Sequence, residues 1–118
     1  MDAESYLPLN PRDYLILFAL TSGQRHGYGI VKEVESERSG SIKLDPANLY
    51  RSIKRLIRDG LVQQVEQSES EDEDNERRRY YAITKTGRRV VTLEAARLAD
   101  LADEARARNL IGEQGIDS

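Results

Sequence analysis

The 118-residue chain contains no cysteine, which removes disulfides and thiolate metal sites from consideration. Its single histidine, His26, leaves no basis for a histidine-built metal centre. There is no phosphate-cradling glycine loop and no pair of carboxylates spaced for acid–base work, so an enzyme is not expected. No apolar run approaches the roughly 20 residues of a membrane span. The opening MDAESYLPLN lacks the form of a signal peptide. Apolar residues make up 38%, enough for one small core that a partner chain could help complete. The expectation is a single soluble cytoplasmic domain without membrane contact or cofactor.

Positive charge is also in short supply overall, with a formal net charge of −3. Its distribution matters more than its sum. Residues 66–76 hold seven acids and no base: Glu66, Glu69, Glu71, Asp72, Glu73, Asp74 and Glu76. Setting those seven aside turns −3 into +4, so local patches decide where a polyanion can dock. The acidic run lacks the glycine and ligand pattern of a calcium loop; it is expected to be a solvated tip that repels DNA.

What is present is a cationic amphipathic segment, LDPANLYRSIKRLIRDGLV at residues 44–62. Asp45 can cap a helix and Pro46 suits its first position. Gly60 can take the left-handed conformation that stops it. Leu49, Ile53, Leu56 and Ile57 form one stripe, and at about 100° per residue the other face carries Arg51, Lys54, Arg55 and Arg58. Asn48 and Arg51, near the start, suit base edges, since asparagine can pair with adenine and arginine with guanine. Lys54 and Arg55 suit phosphates, and a Tyr50 hydroxyl can donate to one.

The flanking segments supply a frame. Asn10-Pro11 starts a helix with Asp13 in its first turn. YLILFAL at residues 14–20 is apolar on nearly every side and reads as buried all round, either in the core or partly against another subunit. Residues 26–39 form a second helix opened by His26, with Gly27 and Gly29 permitting close backbone approach, Gly40 ending it and residues 41–43 as a link. After Gly60 the period changes to two: residues 61–67 and 77–83 read as antiparallel strands around the acidic tip. Alternation puts Arg77 and Arg79 on one strand face and Arg78 on the other; they can neutralise the tip or reach phosphates. Thr84 or Thr86 caps a final helix to about residue 110. Along it, Val91, Ala95, Leu98, Ala102 and Ala105 step by 4, 3, 4, 3, with Leu101 beside them. This heptad-like seam suits packing against a second copy.

Helix, helix, helix, hairpin, helix is the order of a winged helix-turn-helix with an added C-terminal helix. The fold class expected is mainly α with a small β-hairpin. Its units are residues 1–84 (wing 61–83, acidic tip 66–76), a dimerisation helix at 85–111 and a tail at 112–118. HGYGI at residues 26–30, NLYRSIKRLIRDGLV at 48–62, RRYYAIT at 78–84 and TGRR at 86–89 resemble the PadR family of winged-helix transcriptional regulators, in its shorter branch with one C-terminal helix. The resemblance implies a homodimeric repressor on a palindromic double-stranded operator. It implies that residues 45–59 read the major groove, that Tyr50 touches the DNA backbone, and that the first and last helices form the dimer. It further implies a small apolar or aromatic effector, for which Tyr14 and Phe18 would line an interface pocket. Arg51 stands where the family usually has proline, and Ala47-Asn48 where it usually has glycine-threonine. The absence of tryptophan excludes a pocket made by stacking between tryptophans. The alternative function is a winged-helix protein-interaction module that binds no DNA.

Overall fold

Three local start signals organise the fold. A computed structural model describes residues 2–35, 45–65 and 79–112 of the chain. Helix α1 (Pro11–Leu20) begins where the Asn10 side chain accepts the Asp13 N–H at 2.9 Å. Helix α3 (Pro46–Arg58) begins at Asp45, but the expected carboxylate cap is not made. Pro46, which needs no partner for a missing N–H, is what the start retains. Helix α4 (Lys85–Ala107) begins at Thr84, whose hydroxyl accepts the Gly87 N–H at 2.9 Å. Between α1 and α3 lies α2 (Gly27–Glu35). It is opened by His26, whose Nδ1 accepts the Gly29 N–H at 3.0 Å. The expected extension to Ser39, the stop at Gly40 and the link at 41–43 fall outside the described residues.

Gly60, at φ +82°, ends α3 in the left-handed region. The chain then turns into β2 (Val62–Val65), which pairs antiparallel with β3 (Tyr80–Ile83). Val62 faces Ile83 and Val65 faces Tyr80. The acidic tip between them lies outside the described residues. A third strand, β1 (Arg25–His26), was not expected; it pairs with β3, giving the order β1-β3-β2. Two residues are too few to show a period of two, so only the pairing reveals it.

The core joins Ile16, Leu17 and Leu20 of α1, Ile30 and Val34 of α2, Leu49, Ile53 and Leu56 of α3, and Val90 and Val91 of α4. Within one chain α1 is not buried all round: Phe18 is 44% exposed and Tyr14 half-buried, so of the two alternatives the core accounts for only part of its apolar surface. The two rings stack at 5.9 Å. Helix α4 is divided: Val90, Val91 and Glu94 are buried, whereas Leu98 and Leu101 are exposed. Its 23 residues span about 35 Å, so the second half extends beyond the core it is seated on.

The N-terminal lead-in, expected to be irregular, contains a short 3-10 helix (Ala3–Tyr6). It straps α4 to the end of α3. The Leu9 N–H donates to Glu94 Oε2 at 3.3 Å, and the Tyr6 hydroxyl donates to the Asp59 carbonyl at 3.2 Å. Glu94 is held on its other side by both Arg97 donors at 2.7 Å. Those hydrogen bonds hold its carboxyl below the ordinary value of 4.5, against the opposing effect of burial; the Arg97 charge and the Leu9 N–H act in the same lowering direction.

Wing and α4 meet at one node. The Thr84 N–H donates to the Leu61 carbonyl at 3.1 Å, and the Thr84 hydroxyl donates to the Gly60 carbonyl at 2.7 Å. Gly87 is buried here, and a Cβ on it would lie 2.1 Å from the Leu61 carbonyl oxygen. A glycine is thus required here by the close approach of α4 to the Leu61 carbonyl, which its position in the sequence does not show.

Candidate nucleic-acid interface

Helix α3 has two chemically distinct sides. Leu49, Ser52, Ile53 and Leu56 are buried, and this anchors the helix against α1, α2 and the sheet. The opposite side carries Arg51, Lys54 and Arg58, all exposed. Near the N-terminus, Arg51 Nη1 donates to Asn48 Oδ1 at 2.8 Å, one helical turn apart. The two residues expected at base edges are thus brought together and pre-oriented on one turn. Lys54 has no hydrogen bond or ion pair among the described residues. Arg58 lies near the far end of the helix, with its Nε 3.8 Å from Asp59 Oδ1.

Arg55 departs from the expectation. One guanidinium nitrogen is shared between both carboxylate oxygens of Asp13 at 2.5 Å. The Asp13 side chain is 9% exposed. Arg55 was expected to bind phosphate; here its charge is spent inside the domain, tying α3 to the first turn of α1. The acid that claims it is 42 positions away, beyond the reach of any helical periodicity.

Tyr50 is half-buried with its ring against Gly27. A Cβ at Gly27 would lie 2.5 Å from the Tyr50 hydroxyl oxygen, so the glycine is what leaves room for the end of the Tyr50 ring against α2. The hydroxyl therefore sits beside the N-terminus of α2. Arg79 is exposed at the start of β3, on the wing side of the same surface. Arg77 and Arg78 lie outside the described residues. Tyr50, Lys54 and Arg79 share the lining of a cleft between α3 and the wing base, together with Ile53, Ile57, Gln64 and Tyr81.

The residues expected at a subunit interface divide in two. Phe18, Ala95, Leu98 and Leu101 are exposed, and Tyr14, Ala102 and Ala105 are half-buried. Val91 is 4% exposed and belongs to its own chain's core. The seam available to another chain therefore begins at least one turn later than the heptad spacing indicates. The spacing could not show this, because the same stripe serves the domain core first and open surface afterwards.

A helix with outward cations, supported by two others and flanked by a two-stranded wing, defines a winged helix-turn-helix protein of the DNA-binding regulator class. The model of the transcriptional regulator PadR-like family matches residues 16–93. The chain belongs to that family, whose members are transcriptional regulators, not enzymes. Among solved structures it is similar to a transcriptional regulator from Clostridium thermocellum, at 23% identity and TM-score 0.66, over 89% of this chain and 90% of that one. It is also similar to a PadR family transcription regulator from Clostridium difficile, at 24% identity and TM-score 0.67, over 81% of this chain and 95% of the other. Bacillus subtilis PadR in complex with operator DNA aligns at 20% identity and TM-score 0.56, over 72% of this chain and 46% of that protein. At these identities the likeness is one of fold. No match is found among curated proteins. Among the described residues, no helix is long and apolar enough to cross a membrane.

Proposed function

We propose that the chain acts in the cytoplasm as a homodimeric repressor that reads a palindromic double-stranded operator with α3. The observation that carries this is the paired Asn48 and Arg51 on the outer face of a helix whose inner face is fully anchored. In this reading Asn48 and Arg51 meet base edges in the major groove. Lys54 and the Tyr50 hydroxyl meet phosphates, and Arg77, Arg78 and Arg79 meet phosphates at the wing base. Two copies pair through Tyr14, Phe18, Leu98, Leu101, Ala102 and Ala105. The exposed Phe18, Leu98 and Leu101 support that choice, since each leaves a large apolar side chain in water on a single chain. A small apolar or aromatic effector entering between α1 and α4 of the pair releases DNA.

The test is selection of bound duplexes from a random library, followed by titration of the selected site at several salt concentrations. The expected sites have two symmetric halves. Arg51→Ala with Lys54→Ala weakens binding, and each lost phosphate contact reduces the log–log salt slope by about 0.9. Absence of binding to any duplex at low salt overturns the proposal. For the pairing, Leu101→Glu is expected to yield a solution mass of one chain where the parent gives two; a parent mass of one chain refutes the dimer.

A further inference from the structure

Asn48, Arg51 and Lys54 follow one another at one-turn intervals along α3. Arg51 is exposed and Asn48 half-buried, and Arg51 Nη1 donates to Asn48 Oδ1 at 2.8 Å. Arginine has donors and no acceptor, so the amide must turn its oxygen, not its nitrogen, to the guanidinium. Among the described residues Arg51 makes no other side-chain hydrogen bond and no ion pair. That sets it apart from Arg25, Arg55 and Arg97, which are held by the carboxylates of Glu33, Asp13 and Glu94. A carboxylate orients an arginine and cancels its charge; an amide orients it and leaves the charge whole. We propose that Arg51 reads a guanine in each half-site, and that Asn48 is the positioning residue that aims it and not a reader of adenine.

The donors left over decide the base. Nη1 is the guanidinium nitrogen on the side away from the Nε hydrogen, so the Nε–Nη2 edge keeps two parallel donors. Guanine presents two acceptors to the major groove, O6 and N7, and takes both. Adenine sets its N6 donor where the second acceptor is needed, cytosine presents a donor, and thymine presents a single acceptor. Asn48 loses the complementary choice. Bidentate pairing with adenine needs the amide oxygen for N6 and the amide nitrogen for N7, and the oxygen is already taken by Arg51. The Nδ2 donors that remain match any acceptor and do not separate adenine from guanine.

The bond to Asn48 also draws the guanidinium back over the first turn of α3, and the N-terminal residues of a reading helix are the ones that meet base edges. The long side chain is restricted before DNA arrives, which lowers the ordering cost of the contact. The guanine contact rests on the reading that α3 meets DNA.

Duplexes are selected from a random library with the full chain as parent, Arg51→Ala and Asn48→Ala. The affinity of each protein is then measured for the parent's site with guanine or adenine at the selected position. The parent is expected to select a guanine in each half-site that Arg51→Ala no longer selects, and to favour it over adenine by about 5- to 150-fold. Exchanging that guanine for 7-deazaguanine, which lacks the N7 acceptor, weakens binding of the parent but not of Arg51→Ala. Asn48→Ala, with Arg51 intact, lowers the guanine-to-adenine ratio about fivefold. Asn48→Asp restores the ratio, because a carboxylate also accepts from Nη1, while it weakens binding to every duplex by cancelling the charge. An unchanged guanine ratio in Asn48→Ala, with an adenine preference lost elsewhere in the site, makes Asn48 an independent reader and overturns the pairing. So does an equal loss of affinity for both bases, which a merely structural role would give, or a ratio that stays low in Asn48→Asp. A parent that binds no duplex at low salt refutes the repressor and the base contact together. A parent that binds duplexes without any guanine preference dependent on Arg51 refutes only the contact.

Discussion

Replacing Gly87 by alanine reverses the usual sign of such a change. In a helix interior alanine is favoured over glycine by about 1 kcal/mol. Here the added Cβ would stand 2.1 Å from the Leu61 carbonyl oxygen, 2.9 Å from Ile83 Cγ1 and 3.0 Å from the Leu61 carbonyl carbon. A carbon–oxygen contact normally opens to about 3.3 Å, so α4 and the strand end must part by roughly 1 Å. The atom in the way is backbone, and it already accepts the Thr84 N–H at 3.1 Å. Overpacking of this kind costs about 1–3 kcal/mol, and a weakened buried hydrogen bond adds about 1 kcal/mol. After the propensity gain the net loss is about 1–3 kcal/mol, or roughly 5–15 °C in Tm for a domain of this size. Thermal and urea unfolding at one fixed protein concentration measure it, because a dimer's stability depends on concentration. Gly29→Ala is the matched control. Its Cβ meets nothing nearer than 3.5 Å, at the end of the His26 ring, so that variant is expected to equal the parent or exceed it by up to about 1 kcal/mol. A Gly87→Ala protein that melts at or above the parent refutes the close approach of α4 to the wing base.

Three further outcomes follow from the same structure. Glu94 has its folded value held below 4.5 by Arg97. Its contribution is therefore complete above that pH and is lost as pH falls through the lower folded value. The stability gap between parent and Glu94→Gln should narrow on acidification in urea unfolding; a gap that widens contradicts the assignment. Arg55→Gln is expected to lower Tm while leaving the DNA salt slope unchanged, because Arg55 serves Asp13; a slope reduced by about 0.9 would make it a phosphate ligand after all. Changing all seven acids of residues 66–76 to their amides should tighten duplex binding, most at low salt, where charges are least screened. Unchanged affinity at low salt would show that the acidic tip has no influence on DNA.

Local chemistry is legible one segment at a time, and it gave the element order. Asn10 and Thr84 cap, Pro46 opens and Gly60 closes without help from distant residues, because each acts on backbone groups within one turn of itself. The two faces of α3 follow equally from a 3.6-residue period. Three choices were left to the packed chain. Which of the cations on α3 is consumed depends on Asp13, brought alongside from another helix. Where the α4 seam stops serving its own core depends on how far α1 and the N-terminal strap extend beneath it, and this places Val91 inside and Leu98 outside. That Gly87 must be glycine depends on a carbonyl 26 positions earlier in the chain, at Leu61. Periodicity records which face a residue occupies, but only the approach of one element to another decides what that face meets.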